Sequence, residues 1–373
     1  MKFLPSICLL FFTGLALTVS ANETDVTCDV WFGTGGNNAD VPAGIYHATF
    51  DEAKGKLSKA TLAHEIGGAG WVTLHPTLPI LYSTGSANGK PAIRAFAIGE
   101  DKALSEMAVV EAADSPCFLG VSADGKLLAS AQYGGGNTIS VQLKDDGSFA
   151  GDSVVHQHSG GSKVVDGRQN SPHPHYCGFS PDNKFVFVPD LGLDQMVRYR
   201  IEDGGLKSDG AVDCIPGGGP RHMKFHTGGK FAFLVNELEL SVSVFSYADG
   251  EMKLLLTAPA LDQQHTDGEV FNSGSEIRVH PSGKFVYSGN RGNDSISVFS
   301  SDESSGKLER IQISPIHGAW PRNFNLTPSG KWLIAAGKDT NSATVFAIDE
   351  STGKLTYQKQ SVFVPASICV EIK

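Results

Sequence analysis

His173, His175 and Cys177 alternate along one short stretch, and Glu237 is accompanied by Arg221, Arg291, Arg322 and Lys338 in a chain of formal net charge −10. These residue types suit acid–base chemistry on a small anion. An imidazole or a carboxylate can take a proton from water, and an arginine can hold a carboxylate, a phosphate or a developing oxyanion through two parallel hydrogen bonds. Alternation points His173, His175 and Cys177 to one face of a strand. Ligands at that spacing on a single strand suit one tetrahedral ion poorly, and no second cluster completes the set, so no metal is expected. No Ser sits in a nucleophile elbow, which argues against an acyl-enzyme.

The frame that must position these groups is clearest in residues 219–245, GPRHMKFHTGGKFAFLVNELELSVSVF. Three short apolar runs (HMKF, FAFLVN, SVSVF) are separated by a glycine turn and a polar stretch, the pattern of consecutive strands. Degraded copies of the turn fall at Pro79, Lys126, Lys184, Lys284 and Lys331, each followed by two or three more apolar runs. Four antiparallel strands in roughly 45 residues form a propeller blade, a unit that buries its faces only against neighbours. Six blades are counted this way. The segments CDVWFGTGG, GIYHATF and GKLSKATL supply three strands of a seventh, and the C-terminal PASICVEIK supplies its remaining strand. The expected fold is all-β, a seven-bladed β-propeller whose ring is closed by a blade combining N-terminal strands with the C-terminal strand, so that no sheet edge stays open. Closure in this way suggests that Cys28 and Cys369 become neighbours and form a disulfide. The longest insertions between blades fall near residues 160–170 and 263–274.

Within a blade, the start of the first strand and the end of the second meet at one rim of the central channel. Nine residues before each aligned turn position stand Gly70, Cys117, His175, Arg221, Ser275 and Arg322; seven after it stand Ser86, Tyr133, Leu191, Glu237, Arg291 and Lys338. Positions with a purely structural task repeat from blade to blade, as the Val, Ile and Phe positions do. These do not repeat, and they gather Arg221, Arg291, Arg322 and Lys338 into a cationic funnel in an otherwise acidic chain. If Arg221 and Glu237 are the reacting groups, replacing either by Ala is expected to abolish turnover and leave melting nearly unchanged.

The chain has 373 residues, 40% hydrophobic and 19% charged, enough for a sizeable core, and its acidity argues against a nucleic-acid partner. Residues 1–21 are set apart: Lys2, an apolar run over residues 3–17 and Val19-Ser20-Ala21 form a signal peptide cut after Ala21. Export is expected, with no membrane association after cleavage and residues 22–373 as one domain. Cys8 belongs to the leader, and the other five cysteines lack zinc spacing. Sequons at Asn22, Asn293 and Asn325 are chance-level matches.

At these residues the chain resembles the seven-bladed lactonase family, which contains the propeller-type 6-phosphogluconolactonases and the fungal 3-carboxymuconate lactonising enzymes. The resemblance covers essentially the whole of residues 22–373. It rests on Arg168-Gln169 followed by HPHYCGFSPD, on VPDLGLDQM, GPRH and VNEL, on SEIRVHPSGKFVYSGNRGNDSISVF and on PRNF. It implies a catalytic set of one His, two Arg and one Glu, falling on His175 (with His173 its close competitor), Arg221, Glu237 and Arg291. Substrate-binding candidates are His173, Arg322, Lys338, His222 and Glu276. The implied reaction is hydrolysis of a small anionic or sugar lactone without metal or organic cofactor, with Glu237 or His175 as general base. Two alternatives stand beside it, a lactonising reaction on a carboxymuconate-type diacid and a non-catalytic exported binding propeller. Asn293, Leu240 and Gly337 depart from the family pattern and put the substrate in question. A phosphorylated sugar lactone is a cytosolic metabolite, which sits poorly with export.

Overall fold

The computed structural model describes Met1 and residues 27–35, 41–262 and 271–373. Residues 2–21 of the proposed signal peptide and Asn22 lie outside them. Among the described residues the regular elements are all strands, arranged as seven antiparallel sheets, six of four strands and one of five. In the blade that served as the repeat template, Phe231–Asn236 pairs with Pro220–Phe225 on one side and Ser241–Ala248 on the other, and Glu251–Pro259 closes the outer edge. Burial explains the two kinds of strand pattern. Phe231–Asn236 is buried at every position because neighbouring blades cover both faces, so it reads as a continuous apolar run. Glu251–Pro259, at the periphery, alternates between exposed and half-buried for most of its length. Fully buried side chains such as Phe187, Phe233 and Phe299 fill the spaces between blades. Each contributes roughly 1.5–3 kcal/mol by burial.

The turn that made the repeat visible also ties blade to blade. His226 Nδ1 accepts the Gly228 amide at 2.9 Å, while its Nε2–H donates to the Gly283 carbonyl of the next blade at 3.0 Å. His280 does the same towards Gly330, and His75 towards Gly125. One residue type caps a turn and staples two blades, which is why it recurs in HTGG, HPSG and HPTL.

The ring closes in the blade where Thr27–Thr34 lies between Ser367–Ile372 and Gly44–Asp51. The expected outer strand of this blade is split into Lys56–Leu57 and Thr61–Glu65, both paired to Gly44–Asp51. The Cys28–Cys369 disulfide does not form. Antiparallel pairing puts Cys369 opposite Gly33, about 17 Å along the strand from Cys28 at about 3.4 Å per residue. Both thiols are free: Cys28 Sγ lies 3.3 Å from Glu52 Oε1, and Cys369 Sγ donates to the Val72 carbonyl at 3.4 Å. Burial and the neighbouring Glu52 push the Cys28 thiol up to about 12.

Candidate active site

The starts of the innermost strands converge on one rim, as the turn alignment requires. Gly70, Cys117, His175, Arg221, Arg322 and Ile368, one from each of six blades, line an inner chamber of about 130 Å³ with Trp71 and Pro116. An outer chamber of about 360 Å³ shares Cys117, His175 and Arg322 with it and adds Glu237 and Arg291. Its walls are completed by Tyr133, Arg168, Phe271 and Trp320.

Backbone geometry sets the Arg221–Glu237 pair. Pro220 lies opposite Asn236, and a bulge follows before Met223 pairs with Leu234. The Glu237 amide donates to the Gly219 carbonyl at 2.7 Å. Gly219 has φ +63°, and a Cβ there would meet Leu238 Cγ at 2.5 Å, so glycine is required. The carboxylate of Asp194 fixes the same turn by accepting the Gly217 and Gly219 amides. Gly292 plays a comparable part in the NRG turn, where a Cβ would fall 1.7 Å from the Phe271 carbonyl oxygen. That close crossing brings Phe271 to the outer chamber beside Arg291.

Three guanidinium groups converge on one carboxylate. Arg221 Nε and Arg291 Nη2 reach Glu237 Oε2 at 2.8 and 3.0 Å, and Arg168 Nη2 donates to Oε1 at 2.7 Å. Arg221 Nη1 also donates to the Ser275 carbonyl, and Arg291 Nη2 to that of Gly274 at 2.7 Å. Burial alone would raise the Glu237 carboxyl, but Arg291, Arg221 and Arg168 outweigh it and hold the group at about 2. Arg221 and Glu237 are 1% and 5% exposed. A buried network of this kind is not a set of rim charges: removing one partner strands the others, so loss of stability is expected alongside loss of turnover.

His175 is a buried imidazole that lines both chambers. Burial, followed by the nearby charges of Arg221 and Arg322, lowers its pKa well below the ordinary value of 6.5. Its Nδ1 lies 3.9 Å from Cys117 Sγ, and its ring stands edge-on to Tyr133. His173 lines neither chamber. It stacks on Tyr133 with ring centroids 4.4 Å apart, and its Nδ1 lies 2.9 Å from the Tyr133 carbonyl oxygen. The two-residue spacing does put both imidazoles on one side of the chain, with Tyr133 between His173 and the cavity.

Arg322 differs from the other arginines. It lines both chambers and makes no salt bridge among the described residues. Burial and then repulsion from Arg291 lower its pKa. An unmatched cation at this position has the chemistry to receive an anion or an oxyanion.

Three further candidates lie outside the lining. His222 points below the inner chamber, 3.3 Å from Glu276 Oε2 and packed against Trp71, Phe118 and Tyr176. Glu276 is fully buried, accepting from Arg278 Nη1 at 2.8 Å and from Asn323 Nδ2. Lys338, the register partner of Glu237, stands in a turn and pairs with Asp339 at 3.1 Å. Among the described residues no group of three or more His, Cys, Asp or Glu is arranged to hold a metal ion. Arg168, Phe271 and Trp320 escaped the register argument because none is on a repeated position. Arg168 and Phe271 both sit on the two long insertions, and that was the available signal.

With this geometry in place, comparison with known proteins decides the family. The model of the seven-bladed β-propeller lactonases matches residues 29–372. The chain belongs to the seven-bladed β-propeller lactonase family. A 6-phosphogluconolactonase of Bacillus subtilis is 34% identical over 334 residues, 88% of this chain and 94% of its own. Among solved structures, a protein from Lactobacillus plantarum superposes with a TM-score of 0.86 at 28% identity, covering 93% of this chain and all of the other. The periplasmic gluconolactonase of Pseudomonas aeruginosa superposes with a TM-score of 0.85 at 26% identity, covering 93% of this lactonase-family chain and 99% of its own.

Proposed function

We propose that this propeller lactonase hydrolyses a sugar-type lactone, with His175 as general base. The observation that carries this reading is a neutral imidazole in a chamber shared with two arginines, Arg221 and Arg322. His175 takes a proton from water as its oxygen attacks the lactone carbonyl carbon. Arg221 and Arg322 stabilise the oxyanion of the tetrahedral intermediate. When the ring C–O bond breaks, the proton on His175 passes to the leaving alkoxide, giving the open hydroxy acid. Glu237 is a poor base because three arginines hold it ionised; its part is to keep Arg168, Arg221 and Arg291 in place. Arg168 and Arg291 face the outer chamber, where a polar or anionic substituent of the substrate would lie, and Trp320 offers a flat apolar surface for a sugar ring.

The relatives named for a phosphorylated lactone and for a periplasmic gluconolactonase support the substrate class. The N-terminal leader and the second of these names support export, with residues 22–373 as the mature single domain and an unphosphorylated sugar lactone as the favoured substrate. The test is a panel of aldonolactones followed with a pH indicator. Hydrolysis above the spontaneous rate by the wild type, lost in His175→Ala, is expected. Wild-type rates in His175→Ala would overturn the assignment of the base, and no turnover of any lactone would overturn the reading. N-terminal sequencing of the mature protein should begin near Asn22.

A further inference from the structure

Three residues beyond the rim that forms the inner chamber, the same strands make a second ring. On one side of it are Thr73, Gly120 and Gly178; on the other are Lys224, Arg278 and Glu371, with Asn325 between the last two. The ring is lopsided. Its glycines leave room on one side, and its charges gather on the other. The result is a cavity of about 210 Å³ lined by Lys224, Arg278, Glu371 and Thr73 and walled by Phe118, Tyr176 and Phe179.

This cavity is separate from the lactone chambers. Trp71 lines both it and the inner chamber, and tilted, packed rings continue that partition: Trp71 to Phe118 at 4.5 Å, Phe118 to Tyr176 at 4.2 Å and Tyr176 to His222 at 5.2 Å between centroids. Its charged groups are only partly matched. Lys224 Nζ donates to the Tyr176 hydroxyl at 2.9 Å and makes no salt bridge among the described residues. Arg278 spends Nε on Asn325 Oδ1 and Nη1 on Glu276, leaving Nη2 without a partner among them. Glu371 forms no salt bridge there either, and burial raises its carboxyl despite Arg278 and Lys224.

We propose that this lower cavity is a binding site for a small α-amino acid, whose carboxylate meets Lys224 and Arg278, whose ammonium meets Glu371, and whose side chain lies on the Phe118–Tyr176–Phe179 wall. Two cations and one carboxylate lining the same small cavity match the two poles of a zwitterion, and the aromatic wall takes an apolar side chain. A simple monoanion would leave Glu371 unmatched.

The experiment is calorimetric titration of the full chain with phenylalanine, leucine, alanine, lactate and acetate. Phenylalanine and leucine should bind most tightly. Lys224→Met should weaken every ligand by on the order of tenfold or more, the loss of one charged hydrogen bond. Glu371→Gln should weaken the amino acids and leave acetate unchanged. Both variants should keep wild-type lactone hydrolysis, and a saturating lactone should not compete, so the result stands or falls independently of the reaction assigned to the upper pocket. No binding, lactate matching alanine, affinity unchanged in both variants, or displacement by the lactone would each overturn the proposal.

Discussion

Two blades carry the same pair of rim positions with opposite results. In the Pro220–Phe225 blade they are Arg221 and Glu237, and the pair closes at 2.8 Å. In the Pro321–Leu326 blade they are Arg322 and Lys338, two cations that cannot pair. Lys338 therefore turns out to Asp339, and Arg322 stays in the cavity without a carboxylate. The first arrangement spends its charge on holding arginines in position. The second leaves a charge available for a ligand. Identical backbone register thus produces an organising carboxylate in one blade and, among the described residues, a cation without a salt bridge in the other, decided by the sign of a single side chain.

The largest effect should come from breaking the closed pair. Glu237→Ala leaves Arg168, Arg221 and Arg291 facing one another in a buried site, and a loss of about 3–5 kcal/mol is expected in denaturant unfolding, together with turnover. The pH dependence carries the same signature. The Glu237 carboxyl sits at about 2 against an ordinary 4.5. Its contribution to stability is therefore fully present above 4.5 and is lost as the pH falls from there through 2. The variant should lack that portion of the acid-side loss; an unchanged acid profile would mean that the three ion pairs contribute nothing.

Next in size is His175→Ala, which touches the chemistry without touching the pair. A drop of about 10²–10⁴-fold in kcat is expected with melting nearly unchanged. Because the folded pKa of His175 is depressed, the wild-type rate should hold from neutrality down past pH 6.5 and fall only as the imidazole protonates below it. An acid limb centred above 6.5 would assign the base elsewhere.

Arg322→Met tests the open side of the comparison. It removes a cation that makes no salt bridge among the described residues, so stability should stay level or rise while kcat/KM falls by on the order of 10- to 100-fold. Stabilisation of the wild type by a small anion such as phosphate should vanish in this variant. If Arg322→Met destabilises as much as Glu237→Ala, the distinction between committed and free cations fails.

These contrasts also mark how far the sequence reaches. The fold was legible because the turn pattern repeats, and in three of the turns the same residue, His75, His226 or His280, has the same carbonyl partner in the next blade. Register alone brought His175, Arg221, Glu237 and Arg291 to one rim. It could not reveal that Arg168 reaches across from an insertion, since no repeat constrains that loop. Nor could it separate Arg221 from His222, adjacent residues of which one lines the pocket and the other fills the partition beneath it. The Cys28–Cys369 disulfide failed for a reason open to inspection: in an antiparallel pair the start of one strand meets the end of the other, and Cys369 lies three residues short of that end.

The smallest effect belongs to Lys338→Met. By register it matches Glu237, and by charge it matches Arg322, so sequence alone places it in the cationic funnel. Its turn prevents this. The Lys338 amide donates to the Trp320 carbonyl at 3.2 Å, the Lys338 carbonyl accepts from Asn341, and the ammonium is left beside Asp339 at the surface. An exposed pair of neighbours contributes little, so stability should change by less than about 0.5 kcal/mol. Turnover should stay within about twofold, because the charge lies outside both chambers and solvent screens it. A fall in kcat/KM comparable with that of Arg322→Met would show that the turn opens to bring Lys338 over the substrate, and the two blades would then differ in motion rather than in charge.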